Sequence, residues 1–356
     1  MITAPRSVNM GFDRFSGLYL WALFIVVFGI WTPDLFLSAD TARSVASSQA
    51  IVAMLGIALL IPLAAGCYDL SIGATINLSA ILAAWLQTNQ EWGIWQSIGV
   101  AIITGAVIGL VNGFIVVRLH VSSFIATLGM ATVIGAVQTI VTDQSQPLPP
   151  TASLWLNLTQ YKIFGGVQIV VLYLVVLALI VWWVLEHTPA GRYIHATGGN
   201  PEAARLSGVK VGQWQWLSLI GSGTIAAVAG VFYSSLSGPS LTFGASLLLP
   251  AFAAAFLGST QLQPGRFNVW GTLIAVYVLA TGVRGLQFVT GVQWLNDMFN
   301  GVALITAVAF AVWRQRSKAA GRRRGRGDGG GGPDSVPPQR DDGDAVRLTG
   351  ESATVR

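Results

Sequence analysis

Residues Leu60–Ser79 read LIPLAAGCYDLSIGATINLS. An acidic residue, Asp69, stands inside this otherwise apolar run, flanked by Gly66, Ser71 and Gly73. In water such a break is an ordinary loop. In lipid every backbone N–H and C=O needs a partner, so irregular backbone survives only where it is buried in protein or lines a water-filled cavity. The meaning of Asp69 therefore depends on the solvent around it.

Composition identifies that solvent. Of 356 residues, 53% are hydrophobic and 10% are charged, whereas a soluble domain carries about 25% charged residues. The chain belongs in a bilayer. A spanning helix needs about 20 mostly apolar residues, and about ten runs of that kind are bounded by Gly, Pro or charge. They are Phe15 to Trp31, Val45 to Ala65, Leu70 to Leu86, Trp92 to Val117, Val121 to Val141, Val167 to Leu185, Gln215 to Leu236, Ala245 to Leu257, Phe267 to Val289 and Trp294 to Trp313. The expected fold is an all-α integral membrane protein of about ten transmembrane helices, broken in the third-span region. Residues 1–14 form an N-terminal arm, 15–313 the transmembrane domain and 314–356 a tail.

Cations orient the spans, because cytoplasmic loops carry the excess of Lys and Arg. With the N-terminus inside, Arg6, Arg14, Arg118, Arg192, Arg205, Lys210, Arg266 and the C-terminal cluster fall on the cytoplasmic side, leaving Arg43 and Lys162 outside. Both termini are thus expected in the cytoplasm. Arg6 and Arg14 before an apolar core also resemble a secretory signal, but removing the first span would leave an odd number and spoil the charge distribution. The tail begins RQRSKAAGRRRGRG and continues DGGGGPDSVPPQRDDGD. It cannot bury a core and is expected to be a disordered, basic anchor. No folded module or aromatic interleaving accompanies its charge, so nucleic acid is not an expected partner. Cys67 is the only cysteine, which excludes an internal disulfide framework.

Close helix packing in lipid requires small residues. Ala101, Gly105, Gly109 and Gly113 supply a stripe on the fourth span; Ser222, Ala226 and Gly230 supply one on the seventh. The GSGTIA stretch within the seventh fits a dinucleotide fingerprint, but no strand precedes it, so that reading is rejected. Gly73 to Ala84 (GATINLSAILAA) and Gly244 to Ala255 (GASLLLPAFAAA) form a weak internal echo, of the kind transporter repeats leave.

Polar residues inside spans are costly and mark function. Asp69, Ser71, Gly73, Thr75, Asn77 and Ser79 form one cluster; Asn112, Ser122, Ser123, Thr127 and Gln138 form another. Asp69 fits either a helix cap accepting backbone N–H groups or a direct ligand. Arg284, the cation well inside a span, is expected to pair with Asp297 across the turn at Gly291.

The substantial cytoplasmic loop is 187–214. Asn200 as N-cap, Pro201 at the first position, Glu202 in the first turn and Gly208 beyond the end predict a short helix over Pro201 to Ser207. A rigid helix on such a loop suits docking into a partner's groove, or packing on its own membrane domain.

Three motifs now point to a family. Gly191–Val211 (GRYIHATGGNPEAARLSGVKV), Gly66–Ile81 (GCYDLSIGATINLSAI) and Asn112–Met130 (NGFIVVRLHVSSFIATLGM) resemble, in order and spacing, segments of the ribose-type permeases of ATP-binding-cassette (ABC) sugar importers. The resemblance covers roughly Val45 to Trp313. Cys67 and Tyr68, Ser122 and Ser123, and Phe243 to Gly265 depart from the family pattern, which puts the usual pentose or hexose specificity in doubt.

The resemblance implies a non-enzymatic permease subunit in a bacterial plasma (inner) membrane. It would pair with a second permease copy or paralogue, cytoplasmic ABC ATPase subunits holding ATP and Mg, and an extracytoplasmic binding protein that delivers a sugar or sugar-like solute. Gly191, Arg192, Gly199, Asn200, Pro201, Glu202, Ala203, Ala204, Arg205 and Gly208 would couple to the ATPase. Asp69, Ser71, Gly73, Asn77, Asn112, Ser123, Phe124 and Thr127 would line the passage. The sequence has no G-x-x-x-x-G-K-[ST], so ATP work needs another chain. No cofactor or metal is expected, since His120, His187 and His195 lack ligand spacing. An ion-coupled secondary transporter using Asp69 is the alternative; a membrane enzyme lacks H-E-x-x-H and G-x-S-x-G motifs.

Overall fold

The computed structural model describes residues 12–309, apart from residue 293. The expected tail and most of the N-terminal arm lie outside the described residues. Helices α1 (Phe12–Trp31) and α2 (Pro33–Phe36) lead into α3 (Ala39–Ala64), α4 (Ile72–Thr88), α5 (Ile94–Val117) and α6 (Ser123–Thr142). A short helix α7 (Ser153–Gln160) and an antiparallel pair β1 (Lys162–Ile163) and β2 (Val167–Gln168) follow. Then come α8 (Val170–His187), α9 (Pro189–Gly199), α10 (Pro201–Leu206), α11 (Val211–Ser237), α12 (Phe243–Gly258), α13 (Val269–Thr290) and α14 (Leu295–Ala309).

Helices α3, α5, α6, α8, α11 and α13 are long and apolar enough to cross a membrane. Four shorter apolar helices, Phe15–Trp31 within α1 together with α4, α12 and α14, fall on the remaining apolar runs. The chain is a multi-pass membrane protein.

Helix α3 is the centre of the core. Ser38 caps its start by accepting from the Thr41 N–H at 3.1 Å, and its side chains are buried continuously from Ala50 to Leu60. Helix α11 lies beside it and packs along α5 and α4. The α5–α11 contact follows the glycine stripe. A methyl group on Gly105 would strike Ala227 and the Gly223 carbonyl, one on Gly109 would strike the Leu219–Ile220 backbone, and one on Gly113 would strike the Trp216 ring. Without hydrophobic pressure between helices in lipid, this backbone proximity maximises dispersion contact. Trp216 closes the seam by donating from Nε1 to the Leu110 carbonyl at 3.0 Å.

The echo segments meet in space. Gly73 in the first turn of α4 and Gly244 in the first turn of α12 are so close that a Cβ on either would strike the other's carbonyl. Asn77 joins the same two helices, donating to the Leu241 carbonyl at 2.9 Å and accepting the Gly244 N–H at 2.7 Å.

Three expectations are corrected. Arg284 forms no ion pair with Asp297 among the described residues; its guanidinium lies 4.9 Å from the Phe288 ring centroid instead. The loop at 187–214 contains two helices rather than one. The anticipated helix ends at Leu206 with Ser207 as its cap, one residue early, because Gly208 takes a left-handed φ of 82°.

Filling the seam gives a direct check. Gly109→Leu forces α5 away from α11 and should cost about 1–3 kcal/mol of stability, read as a lowered thermal unfolding midpoint in detergent. Gly129→Leu, at a glycine with open space around it, should leave the midpoint unchanged.

Candidate translocation and coupling sites

The break between α3 and α4 is built from the chain outward. Helix α3 ends in a left-handed glycine cap: Gly66 has φ 79°, its N–H donates to the Leu63 carbonyl at 3.1 Å, and the Cys67 N–H donates to the Pro62 carbonyl at 2.8 Å. This is the paired hydrogen-bond pattern of a Schellman motif. Beyond it the backbone has no helical partners, and α6 supplies them. The Tyr68 N–H donates to Ser123 Oγ at 3.0 Å and the Leu70 N–H donates to Thr127 Oγ1 at 3.0 Å. Asp69 Oδ1 accepts the Ser71 N–H at 3.1 Å and the Ser71 hydroxyl at 2.6 Å. Asp69 thus acts as a local acceptor three residues upstream of the first position of α4, holding the N-cap residue Ser71.

Asn112 of α5 extends the network, donating from Nδ2 to Ser71 Oγ at 2.8 Å. Asp69, Ser71, Asn112 and Thr127 are all essentially inaccessible. Asp69 Oδ2, Asn112 Oδ1 and the Ser222 hydroxyl of α11 are buried without a hydrogen-bond partner of full geometry, although Ser222 faces the Asp69 carboxylate. Four elements therefore converge on one oxygen-rich point. Of the anticipated passage residues, the structure gathers Asp69, Ser71, Asn112, Ser123 and Thr127. Gly73 and Asn77 sit further along α4 against α12, and Phe124 is separate, 49% exposed on the outer surface of α6. Sequence reading took Ser222 only as a small packing residue; its hydroxyl is what places it in this group.

The second site is the α9–α10 pair. Thr188 accepts the Gly191 N–H at 3.4 Å and Pro189 occupies the first turn. The bare Gly191 backbone lies against the Leu185 carbonyl, which folds α9 back beneath α8. At the far end of α9, Gly198 meets Ala64 and Gly66 so closely that a side chain on it would collide with the Ala64 carbonyl. The 187–214 segment therefore touches the very end of α3 where the break begins. No signal for α9 was read from GRYIHATGG, because its glycines suggest bends; two of them, Gly191 and Gly198, are close-packing positions instead.

His195 anchors α9 to the segment ahead of α13. Its Nδ1 lies 2.9 Å from the Gly191 carbonyl and its Nε2 lies 3.4 Å from the Phe267 carbonyl. Burial lowers its pKa below the ordinary value, and the nearby Arg266 works in the same direction. Arg266 itself pairs with Glu186 at 3.5 Å.

Helix α10 projects from this base. Asn200 Oδ1 accepts the Ala203 N–H at 3.0 Å, Pro201 stands at the first position and Glu202 faces Arg205 at 3.5 Å in solvent. Ala204 packs inward while Pro201, Glu202, Ala203 and Arg205 are exposed. Arg192 is exposed on α9, and Gly199 has open space around it at the α9–α10 corner. Leu206, which sequence reasoning missed, is 90% exposed, more than any other large apolar side chain among the described residues.

A family described as the permease component of the branched-chain amino acid transport system matches residues 42–308. The chain belongs to this permease family. Among its relatives are the ribose import permease of Haemophilus influenzae, 30% identical over 80% of this chain and 89% of the relative, and the fructose import permease of Rhizobium meliloti, 29% identical over 85% of this chain and 86% of the relative. The autoinducer 2 import system permease of Photorhabdus laumondii is 28% identical over 77% of this chain and 82% of its own length. Membership places the chain among ABC-transporter permeases of the ribose type, the family its three motifs resemble. The matched span covers every element from the first turn of α3 to the end of α14, including both sites.

In this permease the break should be sensitive to loss of its acceptor. Asp69→Leu strands the Ser71 N–H and hydroxyl in a dry site and should cost about 1–3 kcal/mol, lowering the thermal unfolding midpoint. Asp69→Asn retains an acceptor oxygen and should lower it by less than half as much.

Proposed function

We propose that this chain is the membrane subunit of an ABC importer, forming the passage for a sugar or sugar-like solute that an extracytoplasmic binding protein delivers. Separate ATPase subunits, with their ATP and Mg, drive it, and a second permease copy or paralogue completes the passage. In this reading all ten apolar helices cross the bacterial plasma membrane and both chain ends face the cytoplasm, as the cation distribution favours.

The observation that carries the proposal is the exposed helix α10. It is rigidly capped, it buries only Ala204, and it presents Leu206 at 90% exposure beside a charged Glu202–Arg205 pair. An uncovered leucine on a short, preorganised helix suits an apolar pocket in a partner, with the charged rim setting register. The helix is joined through Asn200 to α9, and α9 reaches the α3–α4 break through Gly198. A push on α10 therefore has a short packed route to Asp69, Ser71 and Asn112. The solute class is supported by relatives named for ribose, fructose and autoinducer 2 import.

The polar break serves the passage in this reading. Opening between α6 and α4 would release the Ser123 and Thr127 hydroxyls from the Tyr68 and Leu70 backbone and turn both sets of groups toward a solute. Hydroxyl and amide groups match the hydrogen-bonding surface of an uncharged sugar.

Leu206→Asp tests the docking arm in proteoliposomes that contain the complete transporter. Uptake should fall about tenfold or more, the scale of losing one apolar anchor, while binding-protein affinity for solute stays unchanged. Uptake at the unsubstituted rate would contradict the proposal.

A further inference from the structure

A groove of about 550 Å³ opens between α1, α3, α8 and α13, on the part of the molecule away from α10. Apolar side chains such as Ile25, Val45, Leu174, Val175 and Leu273 form most of its wall. Its polar groups are nearly all satisfied within the protein. Trp21 Nε1 donates to Thr281 Oγ1 at 2.9 Å, and the Thr281 hydroxyl donates to the Tyr277 carbonyl at 2.6 Å. The Tyr277 hydroxyl donates to the Ala46 carbonyl at 3.2 Å, and the Ser38 and Thr41 hydroxyls both donate to the Leu35 carbonyl.

Arg284 differs. Among the described residues it is the only charged one on the groove wall, its Nε is buried without a hydrogen-bond partner, and its guanidinium rests near the Phe288 ring. A buried guanidinium N–H without an acceptor inside a membrane helix is costly. Position adds to the argument. Helix α13 starts on the α9 side, where Phe267 faces His195, and Arg284 sits six residues before its opposite end at Thr290, about 9 Å along the axis. With the ten apolar helices crossing the bilayer as proposed above, that depth is near the headgroup boundary of the leaflet opposite α9 and α10.

We propose that this groove holds one glycerophospholipid, with an acyl chain against α3 and α8 and its phosphate accepting from Arg284. The site demands a long apolar body carrying one anionic acceptor at its end. A phospholipid meets both demands, whereas a neutral lipid leaves the guanidinium unpaired. The groove is too small to enclose a whole lipid, so the headgroup and the second chain would remain in the bilayer. Bound there, the lipid would bridge α1 to the α3–α13 core.

Native mass spectrometry of the detergent-purified chain tests this with phosphatidylglycerol and with a diacylglycerol carrying the same acyl chains. The wild-type chain should retain phosphatidylglycerol about tenfold better than diacylglycerol, the order that one charge-assisted hydrogen bond supplies. Arg284→Gln should abolish that preference, and Ala42→Trp, which fills the groove from α3, should reduce retention of both lipids. Equal retention of the two lipids by the wild-type chain would overturn the proposal. So would an unchanged preference in Arg284→Gln, or full retention in Ala42→Trp. If Arg284→Gln does not fold, the wild-type comparison and Ala42→Trp still decide.

Discussion

The structure depends on how residues 67–71 satisfy their backbone without water. An unpaired amide buried in an apolar setting costs several kcal/mol, and this segment leaves the helical hydrogen-bond ladder inside a membrane protein. Pro62 takes the Cys67 N–H, Ser123 takes that of Tyr68, Thr127 that of Leu70 and Asp69 that of Ser71. Two of those acceptors are α6 hydroxyls, so docking of α6 stabilises the break. Asn112 then fixes α5 to the same point, and the α5–α11 glycine seam brings Ser222 to the carboxylate. Removing water from one stretch of chain thus sets the positions of four helices.

The same break adjoins the solvent-facing helices. Gly66, which turns the chain out of α3, has Gly198 of α9 as its neighbour. Contact between two glycine backbones transmits displacement with little slack, because no flexible side chain lies between them. Gly191 packs its backbone against that of Leu185 at the base of α8, and the Arg266–Glu186 pair holds the α13 side. The α9–α10 pair and the polar cluster are therefore consecutive parts of one packed structure.

Much of this was legible in the sequence. Apolar run lengths located the long helices because bilayer thickness fixes how many residues a crossing needs, and Ala101, Gly105, Gly109 and Gly113 announced the α5 seam through their spacing of four. Asn200, Pro201 and Gly208 marked α10 to within one residue, because capping chemistry is local. What was not legible depends on tertiary partners. Helix α9 was hidden because glycine lowers helix propensity, and only the collision at Gly191 and Gly198 explains their presence. The partners of Ser123 and Thr127 carried no signal, because the backbone amides they accept from lie 55 and 57 residues away. Leu206 carried no signal in a one-dimensional reading, since an apolar residue in an amphipathic segment is ordinarily buried. The Arg284–Asp297 expectation failed because proximity across a turn does not fix side-chain direction.

The central claim is that α10 delivers force from an ATP-hydrolysing partner to the α3–α4 break. A photo-crosslinking side chain at Leu206, activated in membranes containing the complete transporter, tests it most directly, with the same probe at Ile140, 79% exposed on α6, as reference. The account predicts a covalent adduct between Leu206 and the ATPase subunit, changing in yield when ATP is added, and none from Ile140. Adducts from Leu206 to lipid alone, or the same pattern from both positions, would contradict it.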